Sequence, residues 1–241
     1  MAGSACRPRT YAEIVMRVSS VWMALTGIFN SHLMLALAIE KFGTEPQKRH
    51  WLPRLASGEV RGGLALTEPD AGTDLQAIRL TARRDGDHYV INGTKTWISN
   101  GIEGSCFALL VKTNPEAQPR YSGMSLFIAP KGPGFRVGRK LEKLGYKSID
   151  SAELIFEDYR VPADHLIGEV EGRGFTQVAG GLELGPHQCR GARRRHRRGR
   201  AAGSPPATPR SARPSASRSA STRRSSSSSA RWPRAPAPRG C

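Results

Sequence analysis

The stretches Leu66-Thr67-Glu68-Pro69-Asp70-Ala71-Gly72-Thr73-Asp74 and Trp97-Ile98-Ser99-Asn100-Gly101 are the most informative part of this chain, and they begin about thirty residues apart. Each combines hydroxyl-bearing residues with glycine beside a predicted strand. Glycine lets a backbone approach a ligand closely, and turns that present successive backbone N–H groups bind polar or anionic groups. The two stretches therefore predict a site at which backbone N–H groups and hydroxyls contact a planar, polar cofactor.

The formal net charge of +17 is concentrated at one end of the 241-residue chain. Residues 186–241 carry 15 arginines, no lysine and no acidic residue, which leaves 22 basic residues against 20 acidic ones in residues 1–185. Those first 185 residues are nearly neutral and long enough for a helical layer plus one β domain. Residues 186–241 are rich in Arg, Ser and Pro and poor in large apolar side chains, so we expect disorder there.

Cysteine spacing and hydropathy predict a reduced, cytoplasmic protein. The chain has no C-x-x-C spacing and no histidine at metal-ligand spacing, so neither a metal site nor a disulfide framework is expected. We also expect no signal peptide and no membrane span, because the apolar stretch Val21–Ala38 is interrupted at Asn30, Ser31 and His32, and a span needs about 20 apolar residues. His32 and His50 are expected to be packed or solvated side chains.

Apolar periodicity predicts helices in the first sixty residues and strands after them. A buried helix is expected over Thr10–Phe29, and a second, capped by Asn30 or Ser31, is expected to run to about Phe42 and end at Gly43. A third is predicted over Glu45–Leu55, with Gly58 after it.

From Arg61 the apolar period changes to two, which indicates β structure. Asn92-Gly93 predicts a type I′ hairpin between His88–Ile91 and Thr94–Ile98, and Asp85-Gly86 predicts another turn. Further strands are expected at Cys106–Lys112, Met124–Ala129 and Ala152–Glu157, and a new helix at Gly172–Leu184. Short strands with such turns favour a small antiparallel β-barrel.

The predicted fold class is α+β, with an N-terminal helical segment, an antiparallel β-barrel middle domain and a disordered basic tail. A resemblance to a known family, carried by the five motifs named next, implies that a C-terminal helical bundle is missing where the tail stands. With that resemblance, the predicted boundaries are residues 1–9 for an out-of-frame start, 10–60 for a partial helical domain, 61–171 for the barrel, 172–185 for the start of a C-terminal helical domain, and 186–241 for the tail.

Five ordered motifs make residues 10–185 resemble the acyl-CoA dehydrogenases. They are Gly63–Pro69, Asn92–Gly101, Lys143–Gly145, Glu153–Pro162 and Gly181–Gly185. The resemblance implies an FAD-dependent oxidoreductase of fatty acid metabolism that converts an acyl-CoA thioester to its α,β-enoyl form. A carboxylate removes the α proton while the β hydride leaves for the flavin. It also implies an electron-transfer flavoprotein as acceptor and a homo-oligomer, with no specific nucleic acid and no membrane as partner.

The resemblance also assigns cofactor-binding residues. Leu66 and Thr67 would meet the pyrimidine edge of the flavin, and Gly72 and Thr73 would lie by the FAD phosphates. In the second motif, Trp97 would pack on the isoalloxazine, with Ile98 beside it and the Ser99 hydroxyl near N5. Considered singly, Trp97 is better interpreted as a strand core residue and Thr73 as a turn former; the two motifs together favour flavin contact.

Substrate contacts are assigned in the same way to Thr73, near the acyl chain, and to Glu183, near the CoA adenosine. An exposed helix acid is an equal interpretation of Glu183, because the arginine that follows closely in the family is absent here. The family's catalytic glutamate lies in its C-terminal helical domain, so no residue of this chain is assigned as catalytic. We therefore expect weak FAD binding and no turnover from the chain as translated.

The basic tail is interpreted as a frameshifted translation. Codon degeneracy lets Pro186–Ala192, Pro206–Trp232 and Ala2–Cys6 decode in other frames to family-like sequence, which places frame changes near Arg7–Arg9, Gly185 and Ser204–Pro206. Two alternatives stay open. One is a related flavoprotein, such as an acyl-CoA oxidase or a flavin monooxygenase, and the other is a non-catalytic protein whose basic tail binds nucleic acid.

Overall fold

The computed structural model describes residues 8–182, with side chains described for residues 10–180, and these residues belong to one unit of the chain. The predictions for Glu183 and for the other residues beyond that range lie outside the described residues. The helices are α1 (Pro8–Phe42), α2 (Glu45–Ser57) and α3 (Gly174–Leu182). The strands are β1 (Gly62–Ala65), β2 (Thr81–Asp85), β3 (His88–Ser99), β4 (Cys106–Lys112), β5 (Met124–Pro130), β6 (Phe135–Lys140) and β7 (Ser151–Pro162).

The break in α1 falls at Trp22 (φ −150°, ψ 99°) and not at Asn30 or Ser31, where the sequence predicted it. Just before the kink, the Ser20 hydroxyl donates to the Arg17 carbonyl at 2.6 Å, a back-bond that bends helices. Asn30 does not cap a helix. Its Oδ1 accepts from the Tyr11 hydroxyl at 3.0 Å and so joins the two halves of α1.

The third predicted helix is confirmed as α2, with both of its ends capped. Thr44 and Gln47 form a reciprocal capping box, and Gly58 ends the helix in the left-handed conformation (φ 80°). Leu35 and Ile39 of α1 and Leu55 of α2 lie at 0–2% exposure in one apolar core. That core covers one face of the sheet.

One helix of the described part is long and apolar enough to cross a membrane, Thr10–Phe42, with mean hydropathy 1.5 over its best window. The three polar residues Asn30, Ser31 and His32 therefore do not exclude a span by length and hydropathy alone. Such a helix is weak support for a span, because the core helix of a protein without one passes the same test.

The seven strands form one curled sheet in the order β1-β4-β2-β3-β7-β6, with β5 on the other edge of β4. β4 alternates between two cores: Ala108 and Leu110 face the helices, whereas Phe107 and Leu109 face the interior of the curl. Among residues 8–182, no pairing closes the sheet between β5 and β6, so the predicted barrel is a half-barrel.

The sheet is mixed and not purely antiparallel as predicted. β1 pairs with β4 in parallel, from Gly62 opposite Cys106 to Ala65 opposite Leu109. Along the chain, β2 and β3 come between β1 and β4. β3 runs antiparallel to β2, whereas β1, β2 and β4 all run in the same direction. The remaining strand pairs are antiparallel, apart from a single parallel pairing of Thr81 with Lys112.

The predicted hairpin at Asn92-Gly93 is wrong, because both residues lie inside β3. β3 pairs with β7 on both sides of the dipeptide, with a register shift between Ile91 and Gly93. Only Gly93 has a positive φ (136°), whereas a type I′ turn needs it at both residues. A Cβ at Gly93 would come within 3.2 Å of Leu80, so the glycine permits a close approach at a bulge. The predicted turn at Asp85-Gly86 is confirmed between β2 and β3.

Candidate functional site

The two motifs meet at the end of β1. The backbone N–H of Thr96 donates to the carbonyl oxygen of Thr67 at 2.9 Å. This bond fixes the segment after β1 against the C-terminal part of β3, so the Leu66–Asp74 stretch and the Trp97–Gly101 stretch form one continuous surface. The sequence predicted that both stretches serve one cofactor, and the fold places them side by side.

A buried ion pair holds the two motifs together. Lys95 Nζ donates to Glu68 Oε1 and to the Leu66 carbonyl oxygen, both at 2.8 Å. Lys95 is fully buried and the Glu68 side chain is 7% exposed. The Glu68 carboxylate also accepts from the backbone N–H groups of Arg79 (2.6 Å) and Leu80 (3.1 Å).

Burial lowers the pKa of Lys95 to about 8, and the Glu68 carboxylate opposes that shift. Sequence reasoning missed this pair. The available signal was an acid, Glu68, in one motif and a lysine, Lys95, in the predicted strand Thr94–Ile98, each of which needs a partner when buried.

Trp97 has an exposed side chain on a left-handed backbone. Its φ is 58°, which is rare for a bulky residue, and its side chain is 56% exposed. The register of β3 shifts between Lys95 and Ile98, and this irregularity turns the indole outward while Ile98 stays 2% exposed in the sheet core. The alternative that Trp97 is a strand core residue is therefore wrong.

The first motif forms a tight turn after Thr67. Glu68 and Ala71 exchange backbone hydrogen bonds of 2.8 and 3.2 Å, and Asp74 caps the short helix that follows by accepting from Gln76 N–H. Between these features Gly72 and Thr73 are exposed, and among residues 8–182 the only atom near a Cβ built at Gly72 is Thr67 Cγ2, 3.9 Å away. The backbone at Gly72 is therefore open to a ligand.

Several donors at this surface have no partner inside the described part of the chain. The backbone N–H groups of Leu66, Thr67, Gly72 and Thr73 donate to none of residues 8–182. Leu66 is buried and Thr67 half-buried, and N–H groups at such positions are nearly always paired. The hydroxyls of Thr67, Thr73 and Ser99 likewise have no hydrogen bond there. Ser99 is half-buried at the end of β3, where it pairs in register with Ser151.

Asn100 has a structural role. The sequence indicated only that it belongs to the second motif. It is fully buried with a φ of 60°, and its Nδ2 donates to the carbonyls of Ile28 and Gly62, each at 3.0 Å. It thereby joins the end of β3 to α1 and β1. Asparagine tolerates the left-handed conformation better than most residues, which suits it to this position.

These features fit a planar heteroaromatic cofactor with a polar edge and an anionic tail. An exposed indole offers a stacking surface, unpaired N–H groups and hydroxyls offer hydrogen bonds, and the open backbone at Gly72 suits a phosphate. No group of three or more His, Cys, Asp or Glu side chains within residues 8–182 is arranged to hold a metal ion.

The fold and the site define the class of protein. Residues 1–59 match the acyl-CoA dehydrogenase N-terminal domain, and residues 63–159 match the acyl-CoA dehydrogenase middle domain. The chain belongs to the acyl-CoA dehydrogenase family, an oxidoreductase family for which the cofactor is FAD.

Particular relatives share this part of the family's structure. Mitochondrial isovaleryl-CoA dehydrogenase of Pongo abelii is 43% identical over 179 residues, which are 72% of this chain and 42% of that protein. An acyl-CoA dehydrogenase from Geobacillus kaustophilus superposes with a TM-score of 0.71 at 40% identity, covering 76% of this chain and 48% of that one. The FAD complex of PigA superposes with a TM-score of 0.74 at 27% identity, over 80% and 52% of the two chains. The chain thus spans about half the length of these relatives or less.

Proposed function

We propose that this chain supplies the helical and flavin-binding parts of an FAD-dependent acyl-CoA dehydrogenase. The observation that carries the proposal is the joined surface itself. The Thr96–Thr67 hydrogen bond brings unpaired N–H groups of one motif beside the exposed indole of the other. The proposed reaction is α,β-dehydrogenation of an acyl-CoA thioester.

Each predicted cofactor residue has a role that its surroundings support. The N–H groups of Leu66 and Thr67 would bind the pyrimidine edge of the flavin, and the backbone at Gly72 and Thr73 would bind phosphate. Trp97 would cover the ring, with Ile98 anchoring the strand beneath it. The Ser99 hydroxyl, free of any partner within residues 8–182, would donate near N5.

When bound, FAD would accept the hydride that leaves the β carbon. The described residues would bind and orient the cofactor and exclude water from its ring face. The Thr73 hydroxyl would contact the acyl-CoA, and Glu183, outside the described residues, is proposed to lie near the CoA adenosine. We assign the α-proton-abstracting carboxylate to none of the residues described.

The proposed partners follow from the family. They are an acyl-CoA substrate, an electron-transfer flavoprotein as electron acceptor, and further copies of the chain in a homo-oligomer. A cytoplasmic location is proposed as well.

Titration of the 241-residue chain with FAD tests the proposal. We expect a shift in the visible flavin spectrum and quenching of flavin fluorescence, because an indole stacked on the ring quenches it. Trp97→Ala should abolish the quenching and weaken binding. Trp22→Ala is the matched control, because Trp22 is 50% exposed on α1. A wild-type chain that leaves the flavin spectrum unchanged, or equal effects of the two substitutions, would contradict the proposal.

A further inference from the structure

Lys95 is the most deeply buried charged side chain described. It is fully buried, and its ammonium contacts the Glu68 carboxylate and the Leu66 carbonyl. Replacing a buried ion pair with apolar residues of similar volume is often neutral or stabilising. Stability alone therefore does not account for a lysine here, and the contact with Leu66 suggests what the charge does.

The Leu66 carbonyl and the Thr67 N–H belong to one peptide unit. The only cis peptide among residues 8–182 is Gln118–Pro119, so this unit is trans and its carbonyl and N–H point in opposite directions. The carbonyl accepts from Lys95 at 2.8 Å, whereas the N–H donates to none of residues 8–182. The N–H therefore points away from the ammonium, on the outer side of the peptide.

We propose that Lys95 is a positioning residue that fixes and polarises the Leu66–Thr67 peptide, so that the Thr67 N–H becomes a stronger hydrogen-bond donor to the flavin. This inference rests on the proposed function. A cation bound to a carbonyl draws electron density from the amide, and hydrogen bonds in a chain strengthen one another in a low-dielectric site. The Thr67 carbonyl, in the next peptide, accepts from the Thr96 N–H, which restrains Thr67 on its other side.

A stronger donor at the flavin edge has two consequences. It raises the affinity for FAD, and it stabilises negative charge that reduction adds to the ring, since donors aimed at developing charge act strongly in such sites. A lysine that only tied the two motifs together would affect stability and leave the reduction potential of the bound flavin unchanged. The potential is therefore the diagnostic measurement.

The experiment compares Glu68→Gln with Glu68→Gln/Lys95→Met in the full chain. Both variants lack the buried carboxylate, and only the first keeps a lysine whose side-chain nitrogen donates to the Leu66 carbonyl. We expect the double variant to bind FAD about tenfold more weakly than Glu68→Gln, the loss expected for about 1.4 kcal/mol. We also expect its bound flavin to have a more negative reduction potential.

Lys131→Met is the matched control, because Lys131 Nζ donates to the Ile102 carbonyl at 2.6 Å in the loop after β3. It should leave the flavin potential unchanged. If the double variant fails to fold, as judged by circular dichroism, Glu68→Gln/Lys95→Gln takes its place, since an amide of shorter reach adds little bulk. Equal affinities and potentials in the variants with and without Lys95 would overturn the inference. A wild-type chain that binds no FAD would instead contradict the proposed function.

Discussion

The backbone N–H of Thr96 donates to the carbonyl oxygen of Thr67 across 2.9 Å, and this bond makes one surface from two separate motifs. The bond sets the position of the Trp97 indole relative to the unpaired N–H groups after β1.

Trp97→Gly should give a more stable chain than Trp97→Ala, by about 1 kcal/mol. The backbone at Trp97 has a φ of 58°, which glycine adopts without strain and alanine does not. The free energy of unfolding in urea, measured without FAD, checks the difference. An alanine variant as stable as the glycine variant would show that the backbone there is not strained.

Glu68→Leu should cost about 3–5 kcal/mol, because it leaves the Lys95 ammonium buried without its carboxylate. The double variant Glu68→Leu/Lys95→Met should recover most of that loss, since no buried charge remains. Urea unfolding at pH 7 measures both. If the single and double variants were equally unstable, packing and not charge would explain the loss.

Acid should destabilise the fold through His32. Its Nδ1 accepts from the Gly62 N–H at 2.9 Å and its Nε2 bonds the Leu55 carbonyl at 3.1 Å, so the neutral ring joins α1, α2 and β1. Burial, with a smaller effect from Arg61, lowers the pKa of His32. Because the unfolded chain then binds more protons, stability is kept above about pH 6.5 and falls as the pH drops toward the folded pKa.

His32→Asn tests this, because asparagine offers an acceptor to Gly62 and does not titrate. The loss of urea stability between pH 7.5 and pH 5 should be smaller in this variant than in the wild type. Burial also lowers the pKa of His165, and this accounts for the pH dependence of stability that remains in His32→Asn. His50→Asn, at an exposed position of α2, is the control. An unchanged slope in His32→Asn would contradict the assignment.

The frameshift interpretation of the basic tail makes a prediction at the level of the gene. Resequencing through the codons for Arg7, Gly185 and Ser204, and several hundred bases beyond Cys241, should reveal single-base corrections that open one continuous frame. The expected product then continues as the helical domain of the family. An unchanged sequence would mean that the tail is part of the protein.

Local sequence signals predicted elements well where a single segment decides the structure. The capping residues Thr44 and Gly58 define α2, and uninterrupted apolar runs define β4 and β5. The Asn92-Gly93 signal failed because it suits a turn and a bulge equally. Pairing with β7 on both sides of the dipeptide selects the bulge, and that partner is about sixty residues away.

The sequence by itself determined the family, the change from helices to strands near residue 60, and which residues are candidates for the cofactor, because motifs and apolar periods are local properties. Only the tertiary structure decided that Lys95 and Glu68 are partners, that Trp97 faces outward, and that β1 and β4 run in parallel. Each of these depends on contacts between distant segments. Burial, charge pairing and strand register are energies of such contacts, and no single segment contains them.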